Sequence, residues 1–423
     1  LFLSPPLLYY INNLLAVINI KTLFLFLLPY SSVMKIVHVG NYSPLEEAGG
    51  VETVTDAVCR GLAGGGHTVS LLCFSRKGDS VTEVCEGFKV IALKSPLSFF
   101  EMPVPLSPHI TSLFTGIKEA DVVHIHSLTV LGAFISTLAC LLYRKPYVFT
   151  LHSHLGVGEY GRGRGLLYKI VTWFYSVFVL RVSLKYSRYV VTPSPGFLSL
   201  SDYTRGYESK AVSIPHGVDL SLFNPGAGGG KIKGMLDLKG KVVLFVSSLD
   251  KSRRGRGLEL LFDAFRLLVE DAPEAKLLIV GEGDLRSFYA EYARKLGVDG
   301  KTVFAGAVSR ERMPEYYSAC DVFVFPSLFN EPFGLSLLEA MACGKPVVGS
   351  KVGGLPYVVG DAGVLVPPND VNALYGVLKK FLLDGDYARE VGARCLDRAK
   401  SKFAWNVVLT EYGNLYAKVL SEG

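Results

Sequence analysis

The chain has little with which to cross-link itself. Its seven cysteines, Cys59, Cys73, Cys85, Cys140, Cys320, Cys343 and Cys395, include no C-x-x-C pair and none at zinc spacing with histidines. Their number is odd as well, so reduced thiols in a cytosolic compartment are the simplest reading. Charge is also thin: 19% of residues are charged against 49% in the hydrophobic set, a balance that excludes a disordered chain. The net charge of +6 is spread along the sequence. That is too diffuse for a nucleic-acid binder, though compatible with anionic ligands or a membrane surface. Long apolar runs are missing too. Residues 1–33 carry one charge, Lys21, but Pro5-Pro6, Asn12-Asn13 and Pro29 break them up, leaving no run of ~20 residues to span a bilayer. They lack the basic start and small-residue cleavage site of a signal peptide. "MKIVHVGNYSP" from Met34 reads as a natural start, so residues 1–33 are expected to be an upstream extension outside the fold. A membrane anchor is the alternative.

What is present is a repeating grammar. At 423 residues, two domains are expected. From Met34 the strands "KIVHVG", "HTVSLLCF", "DVVHIHS" and "PYVFTLHS" alternate with helical stretches such as "VETVTDAVCRGLAGGG", where Val51, Val54, Val58 and Leu62 recur at helical spacing. "NPGAGGGKIKG", from Asn224, reads as a loop or linker. The pattern then restarts with "KVVLFVSSLD", the helix "GLELLFDAFRLLVEDAP", and the strands "KLLIVGEGD", "TVFAGAV", "DVFVFPS" and "KPVVGS". Apolar strands alternating with helices predict parallel sheets in two facing Rossmann-like α/β domains. The cleft beyond the strands' carboxyl ends is the default site.

The stretch "NEPFGLSLLEAMACGKPVVGSKVGG", residues 330–354, follows one such strand. Leu338, Met341 and Ala342 share a helical face, and Gly344 and Pro346 stop the helix. Glu331 then sits in the preceding loop facing the cleft, and Glu339 about two turns further along. The amides of Phe333, Gly334 and Leu335 make a ready anion site at the helix start. Carboxylates beside a phosphate site suit a sugar nucleotide. The competing reading is that both glutamates are structural, favoured by the helix dipole.

"EPFGLSLLEAMACGKPVV" closely resembles the signature of the retaining glycosyltransferases of family four, with the GT-B fold. The resemblance runs from about Met34 to the end. It includes Gly49-Gly50, "TLHS", "IPHGVD" at 214–219, "VGEGD" at 280–284 and the closing "FAW" helix. It implies that Glu331 contacts the donor sugar's hydroxyls, that Glu339 takes the nucleotide ribose, and that the last helix crosses back onto the first domain. The expected division is 34–215 plus 401–423 for the acceptor-binding domain and 216–400 for the nucleotide-sugar domain. His152, ending "TLH", is implied to lie beside the donor sugar, hydrogen-bonding sugar and phosphate rather than attacking. Gly49 and Gly50 permit close approach of backbone to the diphosphate. Gly281 and Val308 join the donor-binding set.

The single D-x-D triplet, Asp384-Gly385-Asp386, falls between helices and reads as chance, so no metal and no cofactor is expected. Family members usually place an arginine after the second domain's first strand and a lysine at the next helix start. Here Ser248 stands at the arginine position, and "DKSRRGRG" is longer than usual. Arg256, opening the helix, falls at the lysine position. Lys251, Arg253 or Arg254 is the candidate replacement for the missing arginine, against the reading of a solvated basic loop. Removing Arg256 is expected to cost turnover with little change in stability.

Of the other histidines, His67 falls in a helix-to-strand turn and His38 in a strand. His124 and His126 share one face of "DVVHIHS", where a satisfied buried pair is the favoured account. The stretch 161–190 mixes aromatics with Arg162, Arg164, Lys169, Arg181, Lys185 and Arg188. It suits either an anionic membrane face or a buried helix rimmed with basic residues. The combined expectation is a cytosolic, possibly membrane-associated, metal-independent retaining glycosyltransferase. Its donor is a UDP- or GDP-sugar, its acceptor a glycan, lipid or small molecule. A sugar-nucleotide epimerase and an anchored, non-catalytic sugar-binding protein are the rivals.

Overall fold

The computed structural model describes residues 33–42, 49–75, 81–85, 87–94, 98–99, 102–103, 110–126, 130–152, 170 and 173–422. The amino-terminal extension up to residue 32, and Arg162, Arg164 and Lys169 of the basic stretch, lie outside the described residues.

The first half contains β1 (Lys35–Tyr42), α1 (Gly50–Gly64), β2 (Thr68–Ser75), β3 (Val81–Cys85), β4 (Phe88–Lys94), and the short pair β5 (Ser98–Phe99) and β6 (Met102–Pro103). It continues through α2 (Ile110–Glu119), β7 (Val122–His126), α3 (Val130–Leu142), β8 (Tyr147–Thr150), a π-helical turn (Tyr175–Leu180) running into α4 (Arg181–Tyr186), β9 (Tyr189–Thr192) and β10 (Ala211–Ser213). The sheet order is β10-β9-β8-β7-β1-β2-β4-β3, parallel throughout except for the β3–β4 pair. Strand alternation sends Val37, Val123 and Phe149 to a core with α2, α3 and α4. It sends Ile36, Val122 and Val148 to the opposite face, under Val54, Val58 and Leu62 of α1. Each such side chain contributes ~1.5–3 kcal/mol by leaving water.

The second half holds α5 (Gly229–Met235), β11 (Val242–Val246), α6 (Leu258–Asp271), β12 (Lys276–Val280), α7 (Arg286–Lys295), β13 (Thr302–Gly306), α8 (Met313–Ala319) and β14 (Val322–Phe325). After these come α9 (Leu335–Ala342), β15 (Val347–Ser350), α10 (Leu355–Val359), β16 (Val364–Val366), α11 (Val371–Leu383), α12 (Gly385–Phe403) and α13 (Trp405–Ser421). This sheet is parallel, in the order β13-β12-β11-β14-β15-β16. Its order reverses between β11 and β14, which is where a parallel sheet opens a crevice for ligands.

The glycine-rich segment after Asn224 is not all loop. Gly229–Met235 is helical because Ile232 is buried and Gly229 lies against α8, where a Cβ would come 2.4 Å from the carbonyl carbon of Ser318. Helix α13 leaves the second half and packs against α1, burying Val408, Tyr412 and Tyr416 in the first sheet's core. Leu335, at the start of α9, packs partly against both cores.

Candidate active site

The loops after β11 and β14 meet at the crevice. Arg256 ends a short 3-10 segment, Lys251–Arg256, and does not open the helix. Gly257, left-handed at φ 80°, stands between it and α6. This extra turn follows from the longer "DKSRRGRG" loop and swings the guanidinium onto the β14 loop. There Arg256 Nε donates to Glu331 Oε1 at 2.9 Å and Nη1 donates to Ser247 Oγ at 3.0 Å. The pair is shielded, its side chains 20% and 5% exposed, so neither charge is solvated as a surface ion would be. The shielded pair argues that removing Arg256 carries a structural cost as well as a chemical one.

Arg254 and Lys251 of the same loop turn elsewhere. Arg254 Nε donates to Glu259 Oε1 at 2.8 Å, and its guanidinium lies 4.8 Å from the Phe288 ring centroid, on α6 and α7. Lys251 is exposed beside Asp284, with Nζ 3.7 Å from Oδ2. The hydroxyl of Ser248 bonds Asp250. Gly281, at φ 138°, lets the end of β12 approach the β11 loop, since a Cβ there would fall 1.8 Å from Ser247 O. Val308 packs partly buried against the same core.

Glu339 sits inside α9 and is buried. Arg310 Nη1 donates to its Oε1 and the Tyr317 hydroxyl to its Oε2, each at 2.8 Å. Burial raises the Glu339 carboxyl above its ordinary pKa, and Arg310 and Tyr317 pull it back. Both oxygens are thus engaged, an arrangement the sequence reading did not anticipate. Gly334, at φ 101°, caps α9, and Phe333 is buried beneath it. The opposite wall is the start of α1. Gly49 is its N-cap, and a Cβ on Gly50 would lie 3.3 Å from Leu335 Cδ1. Ser194, after β9, ties the two sides by donating to Pro332 O at 2.9 Å.

The histidines are not a simple pair. Register places His38 of β1 beside His124 of β7, and His126 beside Thr150 of β8. His38 Nδ1 lies 3.0 Å from His126 Nε2, and His126 Nδ1 lies 2.8 Å from His152 Nε2. His124 bonds Tyr416 and Thr150 at 2.6 and 2.5 Å. The His152 ring stacks 5.8 Å from His216, which meets the edge of Phe333 at 5.0 Å. All five imidazoles are buried, and burial pushes His38 down to about 3 and His216 to about 4. His124, His126 and His152 are likewise held well below the ordinary imidazole value. Ring nitrogens of His38, His124 and His126 lie within 4.8 Å of one another, a spacing that can hold a metal ion. Those of His124 and His126 are spent on the hydrogen bonds just given, and no carboxylate belongs to the group. Asp384 and Asp386 have helix duties: Asp384 accepts from Tyr387 N at 3.0 Å as a cap, and Asp386 pairs with Arg389.

Arg310, Tyr317, Ser194, His216 and the pair Gly353-Gly354 were missed from sequence. The glycine pair carried a signal, since it closes the stretch that holds Glu331.

Two largely parallel α/β sheets thus face each other with a shielded Arg–Glu pair beside the helix starts. Residues 48–222 match the Glycosyltransferase Family 4 description and residues 231–397 match Glycosyl transferases group 1. The chain belongs to this glycosyltransferase family, and its fold is GT-B. It is 28% identical over 404 residues to a D-inositol 3-phosphate glycosyltransferase of Corynebacterium aurimucosum, covering 90% of this chain and 94% of that one. It is also 28% identical over 402 residues to a phosphatidyl-myo-inositol mannosyltransferase of Mycolicibacterium smegmatis, covering 92% and 95%. Among solved structures, Anabaena HepE in complex with UDP and glucose aligns with a TM-score of 0.71 at 19% identity, over 92% of this chain and 100% of that one.

Proposed function

We propose that the protein is a retaining glycosyltransferase that moves a sugar from a nucleotide-sugar donor to a hydroxyl acceptor without a metal or other cofactor. One observation carries the reading: the starts of α1 and α9, from opposite sheets, meet at Gly50 and Leu335 with the Arg256–Glu331 pair on the adjoining loop. Two helix N-termini converging on one point favour a diphosphate. A neighbouring carboxylate accepts hydrogen bonds from sugar hydroxyls. The UDP-glucose complex of HepE, a protein of like fold, supports a nucleotide-sugar donor.

In this reading Glu331 binds the sugar hydroxyls, and Arg256 neutralises charge building on the leaving diphosphate while holding Glu331 in place. His152 hydrogen-bonds the sugar and phosphate from the first domain, and Glu339 takes the ribose as Arg310 and Tyr317 adjust. Gly49, Gly50, Gly281, Val308 and Phe333–Leu335 shape the donor pocket. Attack from the leaving-group face, with the departing phosphate helping to accept the acceptor's proton, gives retention.

The acceptor is read as a glycan or lipid-linked hydroxyl reached at a membrane surface. Ile170, Trp173, Phe174, Phe178 and Tyr186 are each about half exposed beside the exposed Arg181 and Lys185, which favours a peripheral contact with anionic lipid. Among the described residues no helix is long and apolar enough to cross a membrane.

The test is incubation with UDP- and GDP-sugars and a panel of glycan and lipid acceptors, with and without chelator. The expected result is a product with the donor's anomeric configuration and a rate that chelation leaves unchanged. An isomerised nucleotide sugar formed with no acceptor present would replace this reading with an epimerase.

A further inference from the structure

Ser194, just past the carboxyl end of β9 in the first sheet, donates its hydroxyl to Pro332 O of the second half at 2.9 Å. We propose that Ser194 is a positioning residue for the sugar-binding carboxylate, fixing the Glu331–Pro332 backbone from the opposite domain. The proposal rests on the reading of Glu331 as the group that binds the donor's hydroxyls.

Ser194 is itself held in place. It stands between Pro193 and Pro195, whose rings lock φ at about −65°, and a residue before proline is biased to extended backbone. The strand beneath it is paired on both sides, Leu151 N donating to Val191 O at 2.9 Å and Ile214 N to Thr192 O at 3.0 Å. Thr192 Oγ1 donates onward to Ser194 O at 3.1 Å. Ser194 is 1% exposed, so solvent does not compete for its hydroxyl.

The Glu331 loop has no such frame. Residues 326–334 join β14 to α9 without regular structure, and their backbone is held by separate contacts from two directions. Gly354 N, of the same half, donates to Glu331 O at 2.7 Å, while Ser194 takes the next carbonyl from the other domain. One residue on, Phe333 meets the edge of His216, which follows β10, with ring centroids 5.0 Å apart. Arg256 then orients the carboxylate on this backbone. Without the hydroxyl, the loop keeps Arg256 and Gly354 but loses its hydrogen bond to the first domain. An incoming sugar must then supply the missing order, and its binding weakens accordingly. The nucleotide end meets Glu339 in the same reading, and Glu339 is held by Arg310 and Tyr317 instead. Ser194 therefore acts on the sugar and spares the nucleotide.

The experiment is calorimetric titration of the full chain and of Ser194→Ala, with UDP-glucose beside UDP and GDP-mannose beside GDP. The variant should bind the free nucleotides as the wild type does. For the sugar nucleotide it should lose about fivefold in affinity, the contribution of one neutral hydrogen bond. In a Glu331→Gln background, Ser194→Ala should cost nothing further, because the hydroxyl acts through that carboxylate. Equal losses for nucleotide and sugar nucleotide overturn the proposal, since they are what a bond that merely holds the domains together would give. Unchanged affinity for the sugar nucleotide overturns it too, and so do losses that add in the double variant. Should Ser194→Ala fail to fold, Ser194→Cys, which keeps a weak donor, should show the same selective loss to a smaller degree. Sugar-nucleotide affinity that survives Glu331→Gln unchanged would instead overturn the sugar-binding reading of Glu331, separately from Ser194.

Discussion

Arg256 Nε lies 2.9 Å from Glu331 Oε1, and the two side chains come from loops on adjacent strands, β11 and β14, at the point where the sheet order reverses. The pair makes structure and chemistry inseparable at this position. Arg256→Ala leaves a carboxylate that is 5% exposed without its cation, which typically costs ~3–5 kcal/mol. Both a lowered unfolding midpoint in urea and a loss of turnover are expected. Arg256→Met combined with Glu331→Leu removes both charges and should recover much of the stability while turnover stays lost. A fully stable Arg256→Ala protein would show that the pair is solvated after all.

Glu339 should behave differently although it too is buried. Burial already raises its carboxyl pKa, so the charged form is held at a cost that Arg310 and Tyr317 offset only in part. Glu339→Gln should then change stability by no more than about 1 kcal/mol, whereas Arg310→Ala, which strips the neutralising charge, should cost more. If the carboxylate takes the ribose, Glu339→Gln should also raise the donor KM with little change in kcat. Steady-state kinetics beside thermal melts separate the two effects.

Six buried histidines set the response to acid, the five clustered imidazoles and His67. Their folded pKa values lie below the ordinary 6.5, to about 3 for His38 and about 4 for His216. The unfolded chain therefore binds more protons than the folded one between those values. The stability from neutral burial is complete above pH 6.5 and is lost as pH falls. Each histidine contributes a slope of ~1.4 kcal/mol per pH unit in that window. Melting temperature should drop steeply between pH 6.5 and 5, and the slope should be shallower by one proton in His124→Phe. A flat profile would mean that these rings are hydrated.

Much of this was legible beforehand, and the limits have physical causes. Buried parallel strands read as unbroken apolar runs, so β1, β2, β7, β8 and β11 to β15 stand out in the sequence. β10 and β16, at three residues each, are too short to do so. Helix α5 hides behind its glycines because one buried residue, Ile232, is all that orders its apolar face. Glu331 and Arg256 could each be found from local spacing. Their contact could not, since 75 residues separate them and only the β11–β14 pairing joins them. The same holds for the histidines. Alternation in "VVHIH" puts His124 and His126 on one face, but the neighbours His38, Thr150 and Tyr416 come from register and from the returning α13.

The last expectation concerns how the Glu331 loop is held. The backbone of Gly353-Gly354, after β15, lies against it, and Gly354 N donates to Glu331 O at 2.7 Å. A Cβ on Gly354 would fall 2.2 Å from Pro332 O, and one on Gly353, at φ 53°, 2.4 Å from Glu331 O. Both obstacles are backbone atoms of the loop itself, so relief requires moving Glu331 rather than turning a side chain. Gly354→Ala should therefore lower stability by roughly 1–3 kcal/mol, the usual range for overpacking, and lower turnover with it. Gly376, exposed within α11, is the control. A Cβ there meets nothing within 4 Å, so Gly376→Ala should stabilise by about 0.5–1 kcal/mol and leave turnover alone. Equal activity in the two variants would show that the loop carrying Glu331 tolerates displacement, and that its position is not what the donor reads.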